Sequence, residues 1–358
     1  MSIAILGGGN GAHAAAADLT LRGFEVHMYE DEQFAGNMQK VFDSREITIK
    51  GACGNTTVEV AMVTSNLEKA IEGVTHIIAA VPAFAHQSYA EKLASVVKPG
   101  QTIFLTPGTF GSLIFWKKLK EANNTDGIVI AETNTLPYAA RLTAPGEVLV
   151  MSRFNPLKVG VMPAEKTEET VKDLSRFFDG LKPSESVIAC GLSSLNPIIH
   201  VPGCIMNAGR IEYAKGEFFF YTEGFTSCVV RATEAVDAER INLLNHFGYE
   251  SDIVAHGIGG GVITDDLHEA IAGNESFAKI KGPADTKNRY YSEDIPYGIA
   301  LWAKLAHQLG VKTPMMDAMV NIGTVVLEKD CWNSGHQLDE LGISSMEIEE
   351  LKQYVTRG

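Results

Sequence analysis

The sequence predicts an α/β fold, in which an N-terminal domain with a doubly wound parallel sheet (residues 1–185) precedes an all-α domain (186–358). Strand and helix patterns alternate through the first half of the chain, as in parallel sheets with crossover helices. Strand signals nearly vanish after about residue 185, just beyond a Lys-Pro-Ser break at 182–184. A chain of 358 residues is long enough for two domains, each with its own core.

The elements of the first domain follow from apolar runs and the breaks between them. Residues 2–6 and 24–29 predict buried strands, and the alanine-rich stretch 11–22 between them predicts a helix. Further strands are predicted at 57–63, 75–80, 102–106 and 127–131, followed by two strands within 147–162 and a helix over 166–180. In the second domain, helices are predicted at 194–215, 222–247, 264–272, 296–309, 314–329 and 346–356.

Composition excludes several classes of function. The net charge of −14 argues against nucleic acid, since such proteins present an excess of Lys and Arg. No apolar run is expected to reach the ~18–20 residues of a membrane span, and no signal peptide is recognisable. The five cysteines are scattered without a C-x-x-C, so no metal site or disulfide framework is predicted. The composition favours a cytoplasmic protein acting on small molecules, with no nucleic acid or membrane partner.

The stretch ILGGGNGAHAAAA at 5–17 predicts a dinucleotide-binding loop. It matches G-x-G-x-x-G/A, follows a predicted strand and opens a predicted helix, as in Rossmann domains. Gly7 makes the tight turn and Gly9 admits the pyrophosphate, while Ala12 replaces the third glycine. The helix N-terminus, with Asn10 and Gly11, offers N–H groups to phosphates. A simple turn remains the alternative.

Glu30 ends the next predicted strand, about 20 residues beyond the loop. A carboxylate there accepts hydrogen bonds from ribose hydroxyls and repels a 2′-phosphate, so NAD(H) is favoured over NADP(H). The alternative is a solvated acid within the acidic run at 30–32. Val81 and Pro82, and the Thr-Pro-Gly at 106–108, follow later strands and are expected at the same sheet edge, or are merely turns that end strands.

A hydride-transfer site also needs a proton donor, and histidine is the best candidate at neutral pH. Composition cannot choose among ten histidines. His13 lies beside the glycine loop, and His200 lies in SLNPIIHVPG on the first long helix of the second domain. Histidines 86, 246, 256, 268, 307 and 336 are expected to be structural or exposed.

The sequence resembles the octopine/nopaline (opine) dehydrogenase family over nearly its whole length. The resemblance is carried by GGGNGAHA (7–14), VPAFAH (81–86), TPGTFG (106–111), ETNTLPYAAR (132–141), NPIIHVPG (196–203), FFFYTEGFT (218–226), EAVDAER (234–240) and GPADTKNRYYSEDIPYG (282–298). The segment HGIGGGVITDD at 256–266 departs from the family pattern and is expected to be a flexible loop, which leaves the amino substrate open.

The resemblance implies reductive condensation of an amino acid with a 2-keto acid. Their imine is reduced by NAD(P)H to a secondary amine. His200 corresponds to the catalytic histidine, Asp294 to its carboxylate partner and Arg289 to the arginine that binds a substrate carboxylate. A packed core histidine and a surface Arg–Asp pair are the structural alternatives.

Two other functions remain open at this stage. One is a keto reductase similar to ketopantoate reductase or glycerol-3-phosphate dehydrogenase, families that use a lysine in the helical domain. Lysines 215, 279, 281, 287 and 304 are present, without a recognisable pattern. The other is a non-catalytic NAD(H) sensor, although no interaction module is visible. Oligomeric state is open, and a homodimer through the helical domain is one possibility.

Overall fold

Residues 1–258 and 263–358 are described in the computed structural model of this chain. They divide into two units, Met1–Gly191 together with Lys352–Gly358, and Leu192–Leu351. The first unit is α/β and the second is helical, so the predicted fold class is confirmed. The division lies a few residues beyond the predicted boundary at 185/186, and it assigns Lys352–Gly358 to the first unit instead of the second.

The first unit contains twelve strands. They are β1 (Ser2–Leu6), β2 (Glu25–Tyr29), β3 (Glu46–Gly51), β4 (Thr56–Glu59), β5 (Met62–Thr64), β6 (His76–Ala79), β7 (Thr102–Leu105), β8 (Val129–Thr133), β9 (Tyr138–Ala144), β10 (Glu147–Arg153), β11 (Leu157–Met162) and β12 (Leu181–Pro183).

Eight of these strands form the main sheet, in the order β12-β11-β8-β7-β6-β1-β2-β5. The chain reverses its direction of winding at β1, which pairs in parallel with both β2 and β6. In open α/β sheets, ligands bind outside the carboxyl ends of the strands at such a switch point. The ends of β1, β2 and β6 therefore mark the expected cofactor edge.

The helices of the first unit are α1 (Asn10–Leu21), α2 (Gln39–Ser44), α3 (Leu67–Ile71), α4 (His86–Ala94), α5 (Gly111–Glu121) and α6 (Thr167–Leu174), with 3-10 turns at Ala35–Met38, Ala83–Ala85 and Ala164–Lys166. Next, α7 (Val187–Leu192) crosses the boundary between the units. The second unit contains α8 (Leu195–Met206), α9 (Ala208–Ala214), α10 (Phe220–Gly224), α11 (Ser227–Phe247), α12 (Val254–Gly257), α13 (Leu267–Gly273), α14 (Arg289–Ser292), a π-helix (Asp294–Ile299), α15 (Ala300–Gln308) and α16 (Pro314–Val326). Lastly, α17 (Ile348–Arg357) returns the chain to the first unit.

The alanine run of α1 is explained by a second sheet that the sequence did not predict. This sheet has the order β4-β3-β10-β9, and α1 packs against it as well as against β1 and β2. Residues 14–17 are all alanine and at most 2% exposed. A helix held between two sheets has no solvent face, so small side chains on every side allow close packing.

Several predicted elements differ in detail from the structure. The strand predicted at 57–63 is two short strands in different sheets, and the two strands within 147–162 also belong to different sheets. β11 runs antiparallel to β8, so the main sheet is mixed. The helix predicted over 166–180 ends at Leu174. Local patterning reports burial along a strand but carries no information about its partner, which explains these differences.

Helix α8 is the core of the second unit and packs against α11, α14, α16 and the π-helix. With α7 it forms an apolar segment, Val187–Met206, of mean hydropathy 1.4, so the expectation that no segment reaches the length of a membrane span was wrong at this place. Within the protein, 89% of an 18-residue window of this segment is buried, as in a core helix.

Candidate active site

The glycine-rich loop joins β1 to α1 at the switch point of the main sheet. Gly7 has φ +111°, and a Cβ there would lie 2.8 Å from the carbonyl oxygen of Ala80. Gly9 caps α1, and its carbonyl accepts the N–H of His13, which is the first hydrogen bond of the helix. The backbone N–H groups of residues 10–12 come before that bond, so the helix itself offers them no partner and they can bind a ligand. Gly7 thus makes a turn that is closed to L side chains, and there is open space where a Cβ on Gly9 would be.

The three residues after Gly9 contribute in different ways. The Asn10 side chain accepts the backbone N–H of Leu142 on β9 at 2.9 Å, so its amide group ties α1 to the second sheet. Its backbone N–H and that of Gly11 belong to the open first turn of α1. Ala12 is fully buried, consistent with close helix packing at this position.

Glu30 follows β2 directly and is only 8% exposed. Its carboxylate accepts hydrogen bonds from the Tyr89 hydroxyl (3.1 Å) and the Asp31 N–H (2.8 Å). The Gly8 N–H also donates to it, and burial raises the pKa of Glu30 above its ordinary value despite these bonds. Lys92 pairs with the neighbouring Asp31. Glu30 is therefore a held, buried acid and does not behave as part of a solvated acidic run.

Two further segments lie at the carboxyl ends of the strands. Val81 and Pro82 follow β6, and Val81 Cγ1 lies 3.0 Å from where a Cβ on Gly7 would be. Gly108 follows β7 and packs on Glu132, whose carboxylate accepts the N–H groups of Phe110 (3.2 Å) and Ser112 (3.0 Å) at the start of α5. Burial raises the pKa of Glu132 to about 7.

These features fit a dinucleotide. Rossmann domains bind pyrophosphate at a glycine turn and a helix N-terminus, and adenosine ribose at an acid that ends the second strand. This chain has a turn closed to a Cβ at Gly7, the start of α1, and a buried carboxylate at the end of β2 in the same places. Among the residues described, 1–258 and 263–358, no group of three His, Cys, Asp or Glu side chains is placed to hold a metal ion.

In the second unit, His200 on α8 and Asp294 at the start of the π-helix are in direct contact. His200 Nδ1 lies 2.7 Å from Asp294 Oδ2, with the two side chains 9% and 15% exposed. His200 Nε2 lies 3.3 Å from the Tyr221 hydroxyl, and the imidazole stacks on the Tyr290 ring at 3.6 Å. Residues 94 positions apart in the chain thus form one hydrogen-bonded pair.

The Asp294 carboxyl group is buried and hydrogen-bonded to the imidazole. Burial raises the pKa of Asp294, and the hydrogen bond from His200 is the largest effect in the opposite direction. A carboxylate accepting from Nδ1–H fixes the tautomer and stabilises the imidazolium. The arrangement is that of a histidine general acid held by an acidic neighbour.

Arg289 opens α14, close in sequence to Asp294. Its side chain is 63% exposed, and Nε donates to Glu293 at 2.5 Å, one helical turn further on. Glu293 therefore occupies the Nε side of the guanidinium and directs the planar fork. The two terminal nitrogens form the other edge of the guanidinium, and such an edge is suited to a bidentate contact with a carboxylate.

Other residues in the quoted motifs have structural roles. His13 is buried, its Nδ1 lies 3.1 Å from the Gly9 carbonyl, and burial lowers its pKa, so it supports the start of α1. Asp237 and Arg240 form a buried ion pair that ties α11 to the backbone at 252–254. In the segment 256–266, His256 contacts Asp265, while residues 259–262, four of the eleven residues of the predicted flexible loop, lie outside the described residues.

Sequence reasoning missed four side chains that surround the predicted ones. Tyr89 holds Glu30, Glu293 holds Arg289, and Tyr221 and Tyr290 enclose His200. Tyr221 and Tyr290 both lie in motifs that carry the family resemblance, FFFYTEGFT and GPADTKNRYYSEDIPYG, but they are 21 and 90 residues from His200, so no spacing in the sequence connects them to it.

Comparison with known proteins gives two family matches. Residues 183–327 match the family described as NAD/NADP octopine/nopaline dehydrogenase, alpha-helical domain. Residues 2–109 match the NAD-dependent glycerol-3-phosphate dehydrogenase N-terminus, which is limited to the dinucleotide-binding half.

Individual proteins agree with the first match over the whole chain. An opine dehydrogenase of Arthrobacter sp. (strain 1C) is 29% identical over 345 residues, covering 96% of this chain and 95% of the relative. An octopine dehydrogenase solved with NADH and L-arginine has a TM-score of 0.77 at 20% identity, covering 99% and 98% of the two chains. A yersinopine dehydrogenase solved with NADP⁺ has a TM-score of 0.75 at 14% identity, with the same coverage.

Proposed function

We propose that this protein condenses an amino acid with a 2-keto acid and reduces their imine. The chain belongs to the octopine/nopaline (opine) dehydrogenase family, whose members are NAD(P)-dependent oxidoreductases that act on CH–NH donors. The product is an N-(carboxyalkyl) amino acid. The observation that carries this proposal is the buried contact between His200 and Asp294, in the unit that matches the family.

Each site residue has a distinct role in the proposed reaction. Arg289 binds a substrate carboxylate through its terminal nitrogens and so fixes the carbon that is reduced. His200, protonated and paired with Asp294, donates a proton from Nε2 to the substrate, while Asp294 holds Nδ1–H and stabilises the imidazolium. A bound reduced nicotinamide supplies the hydride.

The first unit is proposed to bind the cofactor through Gly7, Gly9, Asn10, Gly11 and Ala12. Backbone N–H groups of the first turn of α1 take the pyrophosphate, and Val81 and Pro82 contribute from the end of β6. Glu30 accepts the ribose hydroxyls and disfavours a 2′-phosphate, so NAD(H) is preferred over NADP(H). The Tyr89 and Gly8 hydrogen bonds support that preference by keeping Glu30 in place.

We further propose a cytoplasmic location and a homodimer. The five cysteines are all unpaired, as is usual in a reducing compartment. On α16, Ile322 and Val325 are 46% and 76% exposed, so this helix offers apolar side chains to a second copy. Size-exclusion chromatography with light scattering tests the dimer.

The proposed reaction is tested by following NADH oxidation with each proteinogenic amino acid against pyruvate, 2-oxoglutarate, oxaloacetate and glyoxylate. We expect oxidation that depends on the amino acid, with a secondary amine product in the mass spectrum. Equal oxidation by a keto acid alone would favour a simple reductase, and cofactor binding without turnover would favour a sensor.

Replacing His200, the proposed general acid, tests the mechanism. His200→Ala is expected to lower kcat by ~10²-fold or more with the Kd for NADH nearly unchanged, because only the proton donor is lost. His307→Ala is the matched control, since His307 also pairs with an aspartate in the second unit but is 46% exposed. Equal kcat values for the two variants would remove His200 from the reaction.

A further inference from the structure

We propose that Tyr221 is a positioning residue of the proton-transfer site, whose hydroxyl holds the Nε2 edge of His200 while Asp294 holds the Nδ1 edge. This inference rests on the proposed function, which requires a correctly aimed imidazole. It assigns a role to a residue outside the His–Asp pair.

Both ring nitrogens of His200 have a hydrogen-bonding neighbour. Asp294 Oδ2 lies 2.7 Å from Nδ1, and the Tyr221 hydroxyl lies 3.3 Å from Nε2. Because the carboxylate can only accept, Nδ1 carries a proton. When the ring is neutral, the Tyr221 O–H donates to Nε2, and when the ring is an imidazolium, Nε2–H donates to the Tyr221 oxygen. One hydroxyl therefore holds the same ring orientation in both protonation states.

The Tyr221 hydroxyl is itself held in place by aromatic packing. The Tyr221 ring stacks on Phe277 at 4.1 Å and meets the edge of Phe220 at 5.1 Å. Burial raises the pKa of Tyr221 well above its ordinary value, and a hydrogen bond with Tyr290 adds to that shift, so the side chain remains a neutral phenol. A rigid phenol in this position is suited to orienting a neighbour.

Tyr290 restrains the histidine from a second direction. Its ring lies parallel to the imidazole, with 3.6 Å between centroids and 11° between planes. Rotation of the imidazole about its χ2 angle would break this stack as well as both edge contacts. Asp294, Tyr221 and Tyr290 thus fix the ring by its two edges and one face.

The length of the Tyr221 contact suits a bond that must be exchanged during turnover. At 3.3 Å it is longer than an ordinary hydrogen bond to oxygen or nitrogen, whereas the Asp294 contact at 2.7 Å is short. A substrate nitrogen or oxygen that approaches Nε2 replaces the weak bond and leaves the strong one intact. Tyr221 therefore aims the ring without competing strongly with substrate.

Several polar groups surround the contact between His200 and Asp294. Tyr221 on α10 and Tyr290 on α14 contact the imidazole, while Cys204 on α8 and the charged side chains of Glu293 and Arg289 interact with Asp294. Within this set Tyr221 is the group that contacts Nε2. Its removal leaves Nε2–H⁺ without that acceptor and disfavours the imidazolium, because hydrogen bonds from a charged donor are the stronger ones.

Tyr221→Phe tests the inference because it keeps the ring and its stacking. We expect kcat to fall about 10-fold or more with KM little changed, and the decline of kcat at high pH to begin about one pH unit lower. Tyr291→Phe is the matched control, since it removes another buried hydroxyl, one that donates to the Cys204 carbonyl on the same helix at 2.8 Å. A purely structural role for Tyr221 would make the two variants alike in stability loss and in pH profile.

A second readout is independent of turnover. The imidazole pKa of His200 is measured by NMR titration of histidine-labelled full-length protein, with His200→Ala to assign the signal. We expect a lower pKa in Tyr221→Phe and an unchanged one in Tyr291→Phe. Equal NMR titrations and equal pH profiles in wild type and Tyr221→Phe would overturn the role of Tyr221, whereas wild-type protein without amino-acid-dependent NADH oxidation would overturn the proposed function.

Discussion

Asp294→Asn isolates the electrostatic part of the proton-transfer site. Asparagine has nearly the same shape, and its Oδ1 can still accept the Nδ1–H of His200, so the ring orientation is kept. What is lost is the negative charge 2.7 Å from the imidazole, between side chains that are 9% and 15% exposed. The variant should therefore disfavour the imidazolium and leave substrate binding largely intact.

The size of the effect follows from the geometry. A short hydrogen bond to a charged partner contributes about 1.5–3 kcal/mol. At about 1.4 kcal/mol per factor of ten, loss of the charge disfavours the imidazolium ~10- to 100-fold relative to the neutral ring. We expect kcat to fall by the same factor at alkaline pH and to recover in part as the pH is lowered and the imidazolium forms again.

The assay is kcat for reductive condensation measured from acid to alkaline pH, with the Kd for NADH as a check on folding. The matched control is Asp317→Asn, because Asp317 also pairs with a histidine but the two side chains are 46% and 33% exposed, where such pairs contribute ~0–1 kcal/mol. If kcat declines at the same alkaline pH in Asp294→Asn and in Asp317→Asn, the carboxylate of Asp294 does not stabilise the proton donor.

Three further predictions address the other parts of the molecule. Glu30→Ala should weaken NADH much more than NADPH, measured as Kd by fluorescence titration, and equal weakening would exclude Glu30 from ribose recognition. Arg289→Lys should raise the KM for the keto acid, because a point charge cannot replace a planar fork; an unaltered KM would place the arginine outside the substrate site. Glu132→Gln should remove a pH dependence of stability. The pKa of Glu132 is about 7 in the folded protein and 4.5 ordinarily, so unfolding between these pH values releases a proton. The unfolding free energy of the wild type therefore falls by up to about 3 kcal/mol as the pH rises from 4.5 to 7. Parallel denaturation curves for wild type and Glu132→Gln across that range would show that Glu132 titrates normally.

The parts of the fold that local pattern specifies could be predicted from the sequence. The strand, glycine turn, helix and acid between Ser2 and Glu30 follow one another closely in the chain, so spacing alone indicated how they are arranged. The second sheet could not be predicted, because β3, β4, β9 and β10 are brought together by long-range pairing. The alanines of α1 were the one local sign of it, since only a helix buried on all sides tolerates so few polar residues.

The candidate site shows the same limit. His200 and Asp294 were predicted as a pair through the family resemblance, since 94 residues separate them and no spacing rule connects them. Tyr221 and Tyr290 act through contacts with His200, and Tyr89 acts through its contact with Glu30; such contacts are a property of the folded chain. Glu293 lies one helical turn after Arg289, so helical spacing could have found it.

The absence of a side chain at Gly8 links the phosphate loop to the acid at the end of β2. A Cβ at this position would lie 2.6 Å from Glu30 Oε2 and 2.4 Å from Met38 Sδ, so the carboxylate rests against the backbone of residue 8. Positions 8 and 30 therefore depend on each other. A side chain added at position 8 would displace the Glu30 carboxylate, and a shorter acid at position 30 would leave a gap beside the loop. A variant designed to test the proposed preference for NAD(H) should therefore change position 30 with position 8 in view, because the two are in contact.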